Sequence, residues 1–129
     1  MYNGSVLVVD EDVNARIIAE TLLRLRGLQV RSAADRAEAG ALTGEQAVDV
    51  VLLDVNGLEM LAHLRRMAPA TRPRVVVMAE RPAADSERFA LRAGADAYLR
   101  KPMAPSELIR TVERLIEARR PQRVVAGAS

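Results

Sequence analysis

Apolar residues recur along the chain in short runs that are separated by segments with helical periodicity. The runs are "SVLVV" at 5–9, "LQVRS" at 28–32, "VDVVLL" at 48–53, "RVVVM" at 74–78 and "DAYLR" at 96–100. The first, third and fourth are continuous rather than alternating, which is the pattern of strands covered on both faces. The pattern therefore predicts a sheet whose central strands are fully buried.

The segments between these runs predict helices. After the first run, Ile18, Leu22 and Leu25 recur at helical spacing, and Gly27 follows where a C-terminal cap is expected. Further helices are predicted at 35–42, at 58–67 with Leu58, Leu61 and Leu64, at 84–93 closed by Gly94, and after Pro105 with Leu108, Val112, Leu115 and Ile116. Regular alternation of strand and helix predicts an α/β fold, a parallel sheet with helices on both faces. In such a sheet the ligand site lies at the carboxyl ends of the strands.

Composition narrows the class of protein. With 129 residues and 50% hydrophobic content, the chain is expected to form one domain over residues 1–119, followed by a disordered tail or linker stub at 120–129. Cysteine is absent, which excludes disulfides and fits a reducing cytoplasm. No apolar run approaches the roughly 20 residues that span a bilayer. A net charge of +2 and 2% aromatic residues disfavour nucleic-acid binding by this domain.

Charged side chains follow the predicted strands at the edge where a site is expected. If the first and third strands are neighbours, the carboxylates of Asp10, Glu11 and Asp54 lie close enough to repel one another, so a counter-ion is required. Oxygen ligands of this kind suit Mg²⁺. The strand-end residues are Asp10, Glu11, Asp12, Asp54, Met78, Glu80 and Lys101.

Several of these residues also have an ordinary structural interpretation. Asp12 is better explained as the N-cap of the helix that starts near Val13 than as a metal ligand. All 19 cationic residues except Lys101 are arginine, so this lysine indicates a narrow site for a point charge, although chance retention on a solvated face explains it equally well in isolation. His63 is expected on the surface, and the methionines Met60, Met67 and Met103 are expected in packing.

Together these segments resemble a response regulator receiver domain of two-component signalling. The resemblance rests on "VLVVDED", the strand-end aspartate of "VVLLD", "GLEMLAHLRR", "AGADAYLRKP" and the closing helix, and it spans residues 5–118. It implies a flavodoxin-like (βα)5 fold with strand order 2-1-3-4-5. It also implies transfer of a phosphoryl group from the phosphohistidine of a histidine kinase, or from a phosphotransfer protein, to an aspartate.

Carried over by position, the resemblance implies a role for each site residue. Asp54 matches the phospho-acceptor, Asp10 and Glu11 match the Mg²⁺-binding acids, and Lys101 matches the lysine that contacts the phosphate. Tyr98 matches the aromatic switch, whereas by itself it is an ordinary strand tyrosine with a solvated hydroxyl. The peptide bond before Pro102 is expected to be cis, as is typical of the family. An output partner or a second copy is expected to bind the face formed by the fourth helix, fifth strand and fifth helix.

Two features depart from the family pattern. Only Val55 and Asn56 separate Asp54 from Gly57, whereas receivers usually have a longer loop there. The backbone carbonyl of Asn56, which corresponds to the third protein ligand of Mg²⁺, is then expected to be displaced, and metal affinity to be weakened. Met78 stands where the family has Ser or Thr, so one hydrogen bond to the phosphoryl group, worth roughly 0.5–1.5 kcal/mol, is lost.

Three functions therefore remain open at the level of sequence. The first is a phosphorylated receiver, and the second is an atypical pseudo-receiver that docks a partner without phosphate, which the short loop and Met78 favour. The third is a haloacid-dehalogenase-type phosphatase, because "VLVVDEDVN" also resembles the D-x-D signature of that family. In the third case Asp10 is the nucleophile and Asp12 the acid/base, but only Glu80 is present where that family places a later acidic pair.

Overall fold

The structure is a computed structural model and describes residues 4–45, 47–54, 59–67, 71–80 and 84–119. Strands and helices alternate through this part of the chain as predicted. The strands are β1 Ser5–Val9, β2 Gln29–Ala33, β3 Val50–Asp54, β4 Arg74–Ala79 and β5 Ala97–Arg100. The helices are α1 Val13–Arg24, α2 Arg36–Glu45, α3 Glu59–Arg65, α4 Ala84–Ala93 and α5 Pro105–Arg119. The five strands are parallel in the order β2-β1-β3-β4-β5, which confirms the predicted fold class and topology.

Some element bounds differ from the predicted ones, and local hydrogen bonds explain the clearest case. The third strand was expected at 48–53 but runs from Val50 to Asp54. Asp49 precedes it in a bend, where its carboxylate accepts a hydrogen bond from the backbone N–H of Ser5 and pairs with Arg119. The strand therefore begins only after Asp49, and its last residue is Asp54. Helix α2 runs from Arg36 to Glu45 rather than over 35–42, and the predicted helix residue Leu58 lies outside the described residues.

Side chains of the central strands alternate between two apolar layers. One layer, which contains Val8, Leu52 and Val76, packs against α1 and α5. The other, which contains Leu7, Leu53 and Val77, packs against residues of α2, α3 and α4, such as Ala39, Leu64 and Ala90. Strands β1, β3 and β4 are buried on both faces, which confirms the interpretation of their continuous apolar runs.

The helix ends carry the expected signals. Asp12 caps α1, since its carboxylate accepts a hydrogen bond from the backbone N–H of Asn14 and thereby satisfies a helix-terminal donor. Gly27 and Gly94 have positive φ values of 84° and 116°, a conformation that favours glycine after a helix. Helix α5 begins at Pro105, and the peptide bond between Lys101 and Pro102 is cis. Within the described residues, no helix is both long and apolar enough to cross a membrane.

Candidate functional site at the carboxyl edge of the sheet

The site residues come together because parallel strands end at the same edge of the sheet. Asp10 follows β1, Asp54 is the last residue of β3, and Met78 of β4 lies beside Asp54 in the strand register. The backbone N–H of Lys101 donates to the carbonyl of Ala79, which holds the residue after β5 at this edge. Segments that are distant in the sequence thus place their chemical groups in one small region.

Lys101 joins the two carboxylates of Asp10 and Asp54. Its Nζ lies 2.6 Å from Oδ2 of Asp10 and 3.3 Å from Oδ1 of Asp54. The side chains of Lys101, Asp10 and Asp54 are only 15%, 3% and 13% exposed. Water therefore screens these charges weakly, so the lysine is a strong counter-ion to both acids. The proximity that the sequence predicted for these three residues is present in the structure.

Asp10 is held in place by three further hydrogen bonds. Its Oδ1 accepts from the backbone N–H of Asp12, and its own N–H donates to the carbonyl of Ala33 on β2. Its carbonyl accepts from Nη1 of Arg16 at 2.7 Å. Both carboxylate oxygens of this buried residue thus have partners, as a buried charge requires. Arg16 was not singled out from the sequence, because a guanidinium that binds a main-chain carbonyl leaves no pattern of residue types.

The surroundings of Lys101 alter its pKa through opposing effects. Burial by itself lowers the pKa of an ammonium group. The hydrogen bond to Asp10 and the negative charges of Asp10 and Asp54 act in the other direction and prevail, so the pKa of Lys101 is raised above its ordinary value of 10.5. The lysine is consequently a permanent cation at physiological pH.

This raised pKa predicts how stability depends on alkaline pH. The ion pairs of Lys101 contribute stability that is fully present below the unfolded-state pKa of 10.5 and is lost as the pH rises through the higher folded-state pKa. The free energy of unfolding of the wild type should therefore exceed that of Lys101→Met by a constant amount from neutral pH to about pH 10, and the difference should shrink above it. Urea denaturation at a series of pH values measures this difference, and one that grew above pH 10.5 would contradict the assignment.

The predicted metal ligands are only partly assembled. A cavity of about 120 Å³ is lined by Asp10, Glu11 and Asp54, and the Glu11 side chain is exposed at its mouth. Among the described residues, no three acidic or histidine side chains are arranged to hold a metal ion. The carboxylate oxygens of Asp10 and Asp54 nevertheless match the hard donors that Mg²⁺ prefers. Glu11 as a ligand stays a prediction, and the backbone carbonyl of Asn56 lies outside the described residues.

Met78 and Tyr98 occupy opposite faces of the sheet. Met78 is 4% exposed and belongs to the layer that faces α1 and α5. Tyr98 packs against the other layer, and its hydroxyl is buried with no hydrogen-bond partner among the described residues. The solvated hydroxyl that was expected for an ordinary strand tyrosine is therefore wrong. The hydroxyl is buried because the neighbouring layer covers it, which strand periodicity does not reveal.

The remaining predictions concern single residues inside and outside the site. His63 is exposed, as expected, and Glu80 is exposed after β4. Met60 is buried, and Met67 and Met103 pack against the core, which confirms their structural role. A pair missed from the sequence lies at the mouth of the small cavity, where Nη1 of Arg36 is 2.8 Å from Oε2 of Glu59. These two residues are far apart in the chain, and only the fold brings them together.

The fold and the site define a flavodoxin-like domain with an aspartate pair and a lysine at the carboxyl edge of its sheet. Residues 6–113 match the family model described as "Response regulator receiver domain". The chain belongs to this family, the receiver domains of two-component systems.

Individual relatives agree with the family. The chain is 37% identical over 119 residues to the "Transcriptional regulatory protein PrrA" of Mycobacterium tuberculosis, which covers 88% of this chain and 50% of that protein. It thus spans about half the length of this relative. A crystal structure of a response regulator from Thermotoga maritima has a TM-score of 0.83 and 25% identity, covering 90% of this chain and 99% of the other. NtrX from Brucella abortus, solved in complex with ADP, has a TM-score of 0.85 and 28% identity, covering 92% of this chain and 27% of NtrX.

The phosphatase alternative is wrong, because the family match assigns the acidic motif after β1 to a receiver domain. The geometry agrees with that assignment. Asp10, which would be the nucleophile, has both carboxylate oxygens engaged, one by Lys101 and one by the N–H of Asp12. Asp12, which would be the acid/base, accepts the capping hydrogen bond of α1.

Proposed function

We propose that this domain accepts a phosphoryl group on Asp54 from the phosphohistidine of a histidine kinase or a phosphotransfer protein. The observation that carries the proposal is the position of the Lys101 ammonium between the carboxylates of Asp10 and Asp54. A carboxylate that attacks an anionic phosphoryl group needs its electrostatic repulsion cancelled, and a weakly screened cation beside the nucleophile does this. The domain acts in the cytoplasm as a signalling module rather than as an enzyme with a diffusible substrate.

The residues of the site divide the chemistry between them. An oxygen of Asp54 forms the new bond to phosphorus while the bond between phosphorus and the donor imidazole breaks. Lys101 donates hydrogen bonds to the transferring oxygens, and Asp10 and Glu11 would hold Mg²⁺. When bound, Mg²⁺ supplies additional positive charge to the phosphoryl oxygens. The exposed position of Glu11 leaves its side chain free to turn towards Asp10, so the donor set fits this ion.

Exposed apolar side chains next to the site support a protein partner. Val13, Ile17 and Ile18 of α1 are more than half exposed, and Ile18 lines a cavity of about 550 Å³ that also reaches Lys101. Apolar groups clustered on a surface in this way favour a protein contact. The kinase or phosphotransfer protein therefore docks on α1, beside the aspartate that it phosphorylates.

A second exposed apolar region supports the output. Phe89 and Leu91 are exposed large hydrophobic residues of α4, which is one of the three elements of the face formed by α4, β5 and α5. An output partner or a second copy of the chain binds there. PrrA, which is about twice as long as the matched region, is described as a transcriptional regulator, so control of transcription through a longer protein is the output we favour.

The alternative function is that of a pseudo-receiver, which binds its partner without being phosphorylated. It is favoured by Met78, whose buried thioether stands beside Asp54 in the strand register and has no hydrogen to donate. The two functions differ in whether the site responds to a phosphoryl group. They are separated by a ligand that mimics this group.

The test is a titration with Mg²⁺ in the presence and absence of beryllofluoride, a phosphoryl mimic, followed by amide NMR. We expect saturable shifts around Asp54 and Lys101 that require both components. Met78→Thr adds one hydroxyl at the end of β4, so it should bind beryllofluoride about two- to tenfold more tightly, the equivalent of one hydrogen bond. If Mg²⁺ and beryllofluoride shift no resonance near Asp54 in the wild type or in Met78→Thr, phosphorylation of Asp54 is refuted and the pseudo-receiver function remains.

A further inference from the structure

A cavity of about 710 Å³ lies near the amino-terminal ends of the strands, opposite the carboxyl ends where Asp54 is found. It is bounded by the end of α3, the amino end of β4, the turn between α4 and β5, and the end of α5. Four arginines line it: Arg65, Arg72, Arg74 and Arg119. The volume is within the range of roughly 300–1,000 Å³ that is typical of small-molecule sites.

Carboxylates compensate only part of this positive charge. Arg74 pairs with Asp96 at 3.2 Å, and Arg119 pairs with Asp49 at 2.7 Å. The hydrogen bonds described for Arg65 and Arg72 instead end on main-chain carbonyls, those of Arg92 and Ala93 and that of Met67. A carbonyl fixes a guanidinium but does not cancel its charge. Among the residues that the structure describes, no carboxylate therefore pairs with Arg65 or Arg72.

The same hydrogen bonds fix the guanidinium groups before any ligand arrives. Arg72 donates to the Met67 carbonyl through both Nε and Nη2, at 3.3 and 2.9 Å. Arg65 passes over Gly94, where a Cβ atom would lie 2.5 Å from its Cδ. Gly94 thus leaves room for the Arg65 side chain, in addition to its positive φ of 116°. Side chains that are already ordered lose little conformational freedom on binding, which favours affinity.

We infer that this cavity, here called the arginine cavity, binds a diphosphate group, either as the free anion or as part of a nucleoside diphosphate. Guanidinium groups bind phosphate oxygens through two parallel hydrogen bonds, and the remaining N–H groups of Arg65 and Arg72 can serve this purpose. Two uncompensated cations match an anion with at least two charges. The inference does not depend on phosphorylation of Asp54, because the arginine cavity is at the other end of the strands.

The test uses pyrophosphate as the probe, in buffer with a chelator and without Mg²⁺. Isothermal titration calorimetry gives the affinity, and amide NMR gives the location. We expect saturable binding with shifts at residues 64–67, 71–75 and 93–96, which surround the arginine cavity. Uridine diphosphate, with uridine as its control, distinguishes a nucleotide source, because it should bind more tightly than pyrophosphate only if the nucleoside is also recognised.

Variants with the same change of charge separate a built site from general attraction. Arg72→Gln should weaken pyrophosphate binding about tenfold, since a charged hydrogen-bonding pair is lost. Arg31→Gln removes one positive charge from an exposed position on β2, at the far edge of the sheet, and should change the affinity less than about twofold. Arg72→Lys keeps the charge but loses the planar fork, so intermediate binding is expected, and it serves if Arg72→Gln fails to fold.

Three results would overturn the inference. Equal weakening by Arg72→Gln and Arg31→Gln would show that only the net charge attracts the anion. Shifts confined to residues near Lys101 would place the anion beside Asp54, at the carboxyl edge of the sheet, instead. Full affinity in a folded Arg72→Lys protein together with full affinity in Arg65→Gln would show that the arginines serve only to join the chain segments.

Discussion

Asp54→Asn is expected to reduce phosphoryl incorporation to background when the domain is incubated with Mg²⁺ and a small phosphodonor such as acetyl phosphate. The carboxamide has no negative oxygen to attack phosphorus, whereas its size is almost unchanged. Lys101 keeps its 2.6 Å contact with Asp10, so the fold of the site should survive the substitution. Intact-mass spectrometry measures the phosphorylated fraction, and peptide mapping of the wild type should locate the group on Asp54.

Asp12→Asn is the matched control for this experiment. It removes a neighbouring carboxylate, but asparagine caps a helix about as well as aspartate, so α1 should remain intact. Phosphorylation of this variant at close to the wild-type level is expected. Label that persisted in Asp54→Asn, or a wild type that acquired none, would show that Asp54 is not the acceptor.

The second large effect concerns stability and compares two leucines near the end of α1. Leu23 is 0% exposed and lies in the core layer between the sheet and α5, whereas Leu25, the C-cap residue, is 78% exposed. Leu23→Ala should lower the free energy of unfolding by about 2–5 kcal/mol, because it removes buried methyl groups and leaves a cavity. That is a large part of the roughly 5–15 kcal/mol that stabilises a typical domain.

Leu25→Ala makes the same chemical change at the surface and should cost no more than about 0.5 kcal/mol. Urea denaturation monitored by circular dichroism gives both values under identical conditions. Losses of similar size in the two variants would mean that Leu23 is not part of the packed layer.

Much of the fold could be predicted because burial on two faces leaves a clear mark on a sequence. The continuous apolar runs of β1, β3 and β4 are the pattern of strands in a sheet covered on both sides. Once the strands are parallel, their carboxyl ends must meet, so Asp10, Asp54 and Lys101 could be placed together without coordinates. The fact that Lys101 is the only lysine, whereas all other cationic residues are arginine, further indicated that this residue belongs to the site.

What could not be predicted depends on packing between distant segments. The end of helix α2 could not be predicted, because its apolar pattern is weak and marks no boundary near Glu45. The burial of the Tyr98 hydroxyl depends on the covering layer. The arginine cavity arises from residues of four separate segments, none of which forms a motif by itself.

Within the part of the chain that the structure describes, the Tyr98 hydroxyl has no hydrogen-bond partner, and this has a consequence for conformational change. A hydroxyl removed from water without an acceptor raises the free energy of that arrangement by about 1–3 kcal/mol. Typical coupling free energies between two sites in allosteric proteins are also about 1–3 kcal/mol. Strand β5 lies at the margin of the sheet, with β4 as its neighbour, so a rotation of this ring disturbs few main-chain hydrogen bonds. A rearrangement that gives the phenol an acceptor would therefore gain a free energy of about the same size as a typical allosteric coupling free energy.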